Sequence, residues 1–306
     1  MDQQVDQFKV PEHIAVTGDI NTSERALVIG AGFGGLAAAI RLAVKGYDVQ
    51  VLERLGEAGG RAYVHRRNGF TFDAGPTIIT APFLLEELWS LCGKKMSNDV
   101  DLRAMDPFYQ IRFADGRIFN YTGDLERMKQ EIAKFSPSDL PGYLRFLEEA
   151  EYCYKLGFEE LGDVAFDSLK DLIKAFPSLV KMRAWNNLYG LVAKYIKDPQ
   201  LREVMSFHPL LIGGNPFSVT SVYALINSLE RKWGVHSAMG GTGSIIKGLV
   251  GLLDSLGVKI RYASTVKKIN IVDGKVTGVT LENGEVLYSN KAVSYTHLTL
   301  PTIYSV

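Results

Sequence analysis

Residues 27–54 read LVIGAGFGGLAAAIRLAVKGYDVQVLER, and this stretch decides the fold. The apolar run from Arg25 to Gly30 predicts a buried strand. Phe33 to Lys45 has apolar residues at helical spacing, and Gly46 supplies the stop. Asp48 to Glu53 is apolar and β-branched, which predicts a second strand. Strand, helix and strand within about 30 residues form a βαβ unit with parallel strands.

Three glycines, Gly30, Gly32 and Gly35, form a G-x-G-x-x-G motif between the first strand and the helix. The first allows a tight turn, the second allows backbone to approach a pyrophosphate, and the third lets the helix pack against the sheet. The helix N-terminus offers free N–H groups and partial positive charge to phosphates. The motif therefore predicts a dinucleotide site, to which Gly34 in the same turn is also assigned.

An acidic residue follows the glycine motif, at the end of the second predicted strand. Glu53 follows Gly35 by 18 residues and ends the second strand, where a carboxylate can accept both hydroxyls of an adenosine ribose. It would repel a 2′-phosphate, which argues against NADP. The motif by itself does not separate NAD from FAD.

The bulk composition excludes several classes of protein. The chain has 306 residues, 46% of them hydrophobic, with 34 basic and 34 acidic residues, so it has no general attraction to nucleic acid or anionic lipid. Cys92 and Cys153 are far apart, which predicts no metal site and indicates reduced core thiols in a cytosolic protein. No apolar run reaches the roughly 18 residues of a membrane-spanning helix.

The expected secondary structure changes along the chain. A Gly-rich, irregular stretch is expected at 59–80, a helix at 82–93 and a hairpin at 109–121. From about 124 to 195 the pattern is helical, interrupted at 136–142 and at Pro177. Beyond a loop at 206–220, helices are expected at 222–232 and from Ser244, then a strand from Val258 and a β-meander. These patterns predict an α/β fold, with a Rossmann-like nucleotide-binding domain that carries an inserted, mainly helical region.

The residues after the acid narrow the choice of cofactor. GEAGGRA at 56–62 resembles the second signature of the flavin amine-oxidase-like superfamily, and GFTFDAGPTIIT at 69–80 resembles its next segment, which lies along the flavin. GFTFDAGPT, FHPLLIGGNPF, YALINSLERKWGV and MGGTGSIIKGLVGLL together resemble the bacterial-type phytoene desaturases, and the resemblance runs from about Ala26 to Ala292.

This resemblance implies an FAD enzyme that desaturates a long polyisoprenoid hydrocarbon and passes the electrons to a quinone or oxygen. It implies a cytoplasmic protein held peripherally at the inner face of the membrane. The FAD contacts that it implies, together with those of the glycine motif, are Gly30, Gly32, Gly34, Gly35, Glu53, Gly60, Arg61, Gly75, Pro76, Thr77 and Val266. Met239 stands where some members carry a basic residue, which leaves the substrate and the acceptor open.

The sequence predicts that the chain divides into a polar tail and four further segments. These are 1–24 for the flexible tail, 25–123 for the first part of the FAD-binding domain, 124–232 for the helical substrate and membrane region, 233–292 for the return to the FAD-binding domain, and 293–306 for the tail described next.

The last residues depart from the family pattern. VSYTHLTLPTIYSV, Val293 to Val306, resembles a translated sequencing adapter and is expected to be a read-through artefact. On that expectation the chain is an N-terminal fragment, and the exact polypeptide expressed alone should bind FAD weakly and be inactive.

The sequence leaves several alternatives open. A related isomerase, ketolase or saturase of polyenes would share the fold, and a non-catalytic flavoprotein is a candidate of another class. The aromatic residues of 124–232 line a substrate tunnel or form an ordinary core. His208 is an acid or base, or a structural histidine, and no catalytic residue is assigned. The segment 185–196 is a membrane interface or an amphipathic core helix.

Overall fold

The computed structural model describes residues 24–162, 169–181 and 185–294. All but the last residue of the predicted tail 1–24 lies outside the described residues. So does 295–306 of the predicted artefact, whereas residues 293 and 294 end the last strand.

The strands are β1 Arg25–Ile29, β2 Asp48–Leu52, β3 Val64–Arg67, β4 Phe70–Asp73, β5 Leu102–Ala104, β6 Tyr109–Arg112, β7 Ile118–Tyr121, β8 His236–Ala238, β9 Lys259–Arg261, β10 Val266–Val272, β11 Lys275–Leu281, β12 Val286–Tyr288 and β13 Lys291–Ser294. The helices are α1 Phe33–Val44, α2 Pro82–Leu91, α3 Leu125–Phe135, α4 Leu140–Tyr154, α5 Leu169–Lys181, α6 Leu188–Tyr195, α7 Pro199–Ser206, α8 Leu225–Trp233 and α9 Thr242–Ser255.

Contacts within the chain divide it into two compact units. Of the described residues, unit 1 holds 24–75, 86–100 and 240–294, and unit 2 holds 76–85 and the described part of 101–239. The predicted helical region 124–232 lies inside unit 2, which also takes in the hairpin of β6 and β7. The functional partition of the chain stays a prediction.

Unit 1 is built on a parallel sheet with the strand order β13-β1-β2-β9. Val28 pairs with Val51 of β2 on one side and with Val293 of β13 on the other, and Ile260 of β9 extends the sheet beyond Val51. The predicted βαβ unit and the Rossmann-like α/β fold are confirmed. Parallel strands need covered faces. Accordingly, the residues Ala26 to Ile29 are all buried.

A three-stranded antiparallel meander, β10-β11-β12, covers part of unit 1 as predicted. Its buried residues Val266, Val279 and Leu281 pack with Leu27 and Leu52 of the parallel sheet. Helix α1 packs against the sheet and against α9. The meander therefore brings Val266 close to the strands that carry the glycine motif.

The expectation of an irregular stretch at 59–80 was wrong in part. Strands β3 and β4 form an antiparallel hairpin inside it, with His65 paired to Phe72. Asn68 and Gly69 both have positive φ, 51° and 80°, which is the backbone of a two-residue hairpin turn. The Asn-Gly pair was the local signal for this hairpin.

Unit 2 has a helical core that includes a hairpin. Phe119 and Tyr121 of β7 are buried among residues of α3, α4, α6 and α7. These two side chains place the hairpin with the helices, beyond the boundary predicted at residue 124. The short strands β5 and β8 pair within the same unit.

Helix α5 continues through Pro177, so the predicted break at that residue was wrong. Proline has no N–H, so the hydrogen bond to the Ile173 carbonyl is lost. Ile173 is exposed, so water can solvate the freed carbonyl. The break predicted at 136–142 is confirmed, because α3 ends at Phe135 and α4 begins at Leu140. Within the described ranges, none of the helices combines the length and the hydropathy that a membrane span requires.

Candidate flavin-binding site

The glycine turn lies between β1 and α1 at the carboxyl end of the parallel sheet. Gly30 has φ of 96° and donates its N–H to the Leu52 carbonyl at 2.8 Å. A Cβ atom at Gly35 would lie 1.9 Å from the Gly30 carbonyl oxygen, closer than any side chain permits. The predicted roles of Gly30 in the turn and of Gly35 in close packing therefore match the observed geometry.

The N-terminus of α1 has no side-chain cap of its own, because the N-cap residue is Gly32. The first N–H groups of a helix have no acceptor inside it, and they carry partial positive charge. Gly34 is the second residue of the helix and is half-buried. This helix end has the donors that a phosphate group needs.

A second glycine pair lies beside the first motif. Gly59 forms a parallel bridge with Gly32 and donates its N–H to the Ala31 carbonyl at 2.8 Å. A Cβ atom at Gly60 would lie 3.0 Å from the Gly32 Cα atom. The two backbone segments thus run side by side with no side chain between them.

Glu53 is buried next to this turn. Its Oε2 atom accepts the Ala31 N–H at 2.6 Å, and its Oε1 atom accepts the Leu55 N–H at 2.9 Å. A carboxylate has about four lone-pair sites, so two remain for further donors. The predicted ribose contact is compatible with this geometry. Glu53 has a second role, because its two hydrogen bonds link the first glycine loop to the segment after β2.

Arg61 and Val266 flank the same region. Arg61 lies in a short 3-10 turn, Gly60–Ala62, and is exposed. No carboxylate within the described ranges forms an ion pair with it. Val266 begins β10 with its side chain in the core, and two residues before it Ser264 donates its N–H to the Glu53 carbonyl at 2.8 Å. Its predicted contact with adenine is a backbone contact and stays a prediction.

The predicted flavin-side residues are split between the units. Gly75 approaches the turn that carries Arg61, since a Cβ atom there would lie 2.6 Å from the Ala62 Cα atom. Pro76 and Thr77 are exposed residues of unit 2. Their contact with a flavin stays a prediction.

Asp73 caps a helix of unit 1, a role that sequence reasoning missed. Its carboxylate lies at the N-terminus of α9, where Oδ1 accepts the Gly243 N–H at 3.3 Å. A Cβ atom at Gly241, the N-cap residue, would lie 1.8 Å from Asp73 Oδ2. The signal was the pair of glycines before the helix, which leaves no side chain at the N-cap and space for an outside carboxylate.

A cleft of about 680 Å³ also opens on unit 1. Its lining includes Glu57, Arg66, Lys247 and Tyr262. Arg66 is paired with Glu57 at 3.0 Å. None of the predicted cofactor residues lines this cleft, so it is not assigned to the cofactor.

Unit 2 contains a polar cluster in which Glu230 and His208 are fully buried and Tyr109 is half-buried. Glu230 accepts a hydrogen bond from the Tyr109 hydroxyl at 2.6 Å, and its other carboxylate oxygen lies 3.1 Å from His208 Nε2. Burial raises the pKa of Tyr109 above its usual value, and the Glu230 carboxylate raises that pKa further. His208 is therefore partnered inside the core, and His208 Nδ1 is buried without a hydrogen-bond partner among the described residues.

Burial answers one other open question, whereas the lining of a substrate tunnel by the aromatic residues of 124–232 stays a prediction. The segment 185–196 contains α6, whose Leu188, Leu191 and Val192 are buried, so its apolar face is core. Of the aromatic residues, Tyr143, Phe146 and Tyr154 are buried in unit 2.

Burial raises the pKa of Cys153 to about 12, as expected for a core thiol, whereas Cys92 is only half-buried.

The residues of unit 1 fit a dinucleotide cofactor. Two adjacent glycine segments leave backbone exposed, a helix end offers its N–H groups, and a buried carboxylate keeps open lone pairs. This donor and acceptor set matches a pyrophosphate and a ribose.

Comparison with known proteins gives a family. The profile described as "Flavin containing amine oxidoreductase" matches residues 33–296. The chain is 44% identical over 275 residues to the lycopene-forming phytoene desaturase of Pantoea ananas, covering 88% of this chain and 56% of that protein. It is 45% identical over 271 residues to the neurosporene-forming phytoene desaturase of Rhodobacter capsulatus, covering 88% and 52%. The chain spans about half the length of these relatives.

Solved structures support the same fold. An oxidoreductase from Methanosarcina mazei matches with a TM-score of 0.58 at 20% identity, over 88% of this chain and 58% of that one. A putrescine oxidase bound to putrescine matches with a TM-score of 0.57 at 14% identity, over 88% and 57%. At these identities the likeness concerns the fold alone.

Proposed function

The chain belongs to the flavin-containing amine oxidoreductase family, and from this premise we propose that it is an FAD-dependent oxidoreductase that desaturates a long polyisoprenoid hydrocarbon of the phytoene type. The observation that carries the cofactor part is the open N-terminus of α1, with Gly60 against Gly32 on one side and buried Glu53 on the other. The names of the relatives support the substrate class.

In this proposal the cofactor residues divide by the group they bind. The backbone of Gly30, Gly32, Gly34 and Gly35, with Gly60 and the Arg61 guanidinium, holds the pyrophosphate. Glu53 accepts the ribose hydroxyls, and the Val266 backbone bonds the adenine. Gly75, Pro76 and Thr77 keep their predicted place along the flavin.

The reaction removes two hydrogens from adjacent carbons of a hydrocarbon. When bound, oxidised flavin supplies the hydride acceptor that no side chain provides. The protein's own contribution is to bind and orient a substrate that has no polar group, which requires apolar surface and exclusion of water. No residue is assigned as the base that removes the proton.

Unit 2 has apolar surface of this kind. The stretch 206–221 contains no Lys, Arg, Asp or Glu, and within it Leu210, Leu211, Ile212 and Phe217 are exposed. We assign these side chains to the hydrocarbon. A quinone or oxygen takes up the electrons, and the substrate comes from the bilayer at its cytoplasmic face.

The cofactor assignment is tested by titrating FAD into the purified chain and following flavin fluorescence. Glu53→Gln is expected to weaken binding, because it removes the negative charge and places an amide donor beside the backbone N–H of Ala31 or Leu55. Glu57→Gln is the matched control, since this exposed carboxylate is paired with Arg66. Equal affinities of the two variants and the unchanged chain would contradict the assignment.

The reaction is tested in phytoene-accumulating cells. The gene is first resequenced across the codon for Ala292, and the resulting reading frame is expressed. Coloured, further desaturated products support the proposal. Products that are isomerised, oxygenated or more saturated would instead support one of the sibling activities, and a flavin that no polyene reduces would support a non-catalytic flavoprotein.

A further inference from the structure

The chain contains two Asn-Gly pairs, Asn68-Gly69 and Asn283-Gly284, which are called the first and the second pair below. Both asparagines are exposed, and each lies in the turn of a hairpin, between β3 and β4 or between β11 and β12. Glycine has no side chain to shield its backbone nitrogen, so this nitrogen can attack the amide of a preceding asparagine. The two pairs share this local chemistry, and a difference between them must come from the structure.

The first pair forms a two-residue turn whose reacting groups are free. Arg67 pairs with Phe70 across the turn, and Asn68 and Gly69 both have positive φ. Within the part of the chain that the structure describes, neither the Asn68 side chain nor the Gly69 N–H forms a hydrogen bond. The Asn68 amide carbon and the Gly69 nitrogen can therefore approach each other without the loss of an existing bond.

The second pair is held by two hydrogen bonds. The Gly284 N–H donates to the Leu281 carbonyl at 3.1 Å. Asn283 Oδ1 accepts the Glu285 N–H at 3.0 Å. The attacking nitrogen and the amide that it would attack are thus both engaged elsewhere, and both bonds must break before the two groups can react.

Local charge also separates the two pairs. Arg66 and Arg67 directly precede the first pair, and no carboxylate of the described residues pairs with Arg67. Glu282 and Glu285 flank the second pair. Positive charge favours the deprotonated form of a nearby nitrogen and negative charge opposes it. The reactive form of the backbone nitrogen is therefore favoured at the first pair and disfavoured at the second.

We propose that Asn68 is a site of spontaneous deamidation in the folded protein and that Asn283 is protected from the same reaction. The Gly69 nitrogen loses its proton and attacks the Asn68 Cγ atom, which closes a succinimide ring. The bond from Cγ to the side-chain nitrogen breaks, and that nitrogen takes up a proton and leaves as ammonia. Water then opens the ring at either carbonyl, which gives aspartate or isoaspartate at position 68. No atom is oxidised or reduced.

The two products should affect the hairpin differently. Aspartate suits this position, because Asp-Gly forms the same turn as Asn-Gly. Isoaspartate directs the main chain through the former side chain and lengthens it by one carbon atom, so Arg67 and Phe70 lose their pairing across the turn. The hairpin ends at Asp73, which caps α9. Isoaspartate is therefore expected to loosen the strand that carries this cap.

The test is peptide mapping of the purified 306-residue chain by mass spectrometry, after incubation at physiological temperature and mildly alkaline pH. Trypsin releases the two pairs on separate peptides, 68–94 and 276–291, and fragment spectra locate the change within each. The mass gain of amide-to-acid exchange is expected at Asn68 at least about tenfold faster than at Asn283, because two hydrogen bonds protect the second pair. An unincubated sample gives the baseline.

The same incubation in concentrated urea is the control for structure. Unfolding removes the hydrogen bonds of the second pair, so the rates at the two pairs should become similar. Neither measurement needs a cofactor or a substrate, so the result does not depend on the proposed function.

Loosening of the hairpin is measured by hydrogen exchange of residues 64–73. Labelling with an isoaspartyl methyltransferase gives the isoaspartate content, and exchange should become faster as that content rises. Asn68→Asp is the control, because it has no amide to lose and should exchange as slowly as the fresh chain. Unchanged exchange in chains rich in isoaspartate would contradict the expected loosening.

Two results would overturn the proposal itself. Equal rates at Asn68 and Asn283 in the folded chain would show that the hydrogen bonds of the second pair give no protection. A first pair that is stable in the folded chain but reacts in urea would show that the β3–β4 turn keeps the Asn68 amide away from the Gly69 nitrogen.

Discussion

At the scale of single residues, the glycines of the first turn are set by backbone contacts. Gly35→Ala would put a methyl group 1.9 Å from the Gly30 carbonyl oxygen, so α1 must move away from β1. We expect the unfolding free energy to fall by about 3 kcal/mol and FAD binding to weaken with it. Urea unfolding and FAD titration measure the two effects.

Gly56→Ala is the control for this change. A Cβ atom there meets no heavy atom within 4 Å, so the unfolding free energy should stay within about 0.5 kcal/mol of the unchanged chain. If Gly35→Ala were equally harmless, the close packing of helix and strand would be disproved.

The half-buried phenol of Tyr109 predicts a dependence of stability on alkaline pH. Burial and Glu230 raise its pKa in the folded state, whereas an unfolded tyrosine ionises near pH 10. The unfolded state therefore loses its proton first, and the unfolding free energy should fall as the pH rises above about 10. Urea unfolding at several pH values between about 8 and 11 measures the slope.

Tyr109→Phe should make this slope shallower. Some slope remains, because burial also raises the pKa of Tyr121. The variant should in addition be less stable at neutral pH by about 1–3 kcal/mol, since the buried Glu230 carboxylate loses a hydrogen-bond donor. An unchanged slope would contradict the assignment, and Tyr288→Phe on the exposed face of β12 is the control.

At the scale of elements, α9 depends on a cap from another part of the chain. Asp73→Ala removes the acceptor of the Gly243 N–H and the negative charge at the helix N-terminus. We expect a loss of about 1 kcal/mol in the unfolding free energy. Asp73→Asn keeps a hydrogen-bond acceptor but loses the charge, so its unfolding free energy should lie between those of Asp73→Ala and the unchanged chain. Thermal or urea unfolding measures all three.

The last turn of the same helix provides the comparison. Asp254→Ala removes a carboxylate near the negative end of the helix dipole, so it should not lower the stability. Equal losses at Asp73 and Asp254 would show that the cap contributes nothing specific.

The elements differ in how far local sequence predicts them. Periodicity placed β1, α1, β2 and the meander, because each is decided by residues close in the chain. The β3–β4 hairpin was missed although Asn68-Gly69 marks its turn, since the surrounding glycines suggested irregular backbone. The helix through Pro177 was missed because the general cost of an internal proline does not account for an exposed carbonyl that water can solvate.

At the scale of the whole molecule, cofactor binding should stabilise the fold. A ligand that binds only the folded state adds about 2.7 kcal/mol at a hundredfold excess over its dissociation constant. FAD should therefore raise the melting temperature in a concentration-dependent way, while riboflavin, which lacks the pyrophosphate and adenosine, should raise it far less. Equal shifts with both compounds would place the binding outside the glycine turn.

The sequence by itself determined that unit 1 begins with a parallel βαβ unit and that Gly30, Gly32 and Gly35 form its turn, because spacing and residue type act locally. It also carried the resemblance that the family comparison confirms. Only the tertiary structure decided that Gly60 lies against Gly32, that Asp73 caps α9, and that Tyr109 and His208 meet at Glu230. These partners are far apart in the chain, and the packing inside each unit brings them together, which no local pattern encodes.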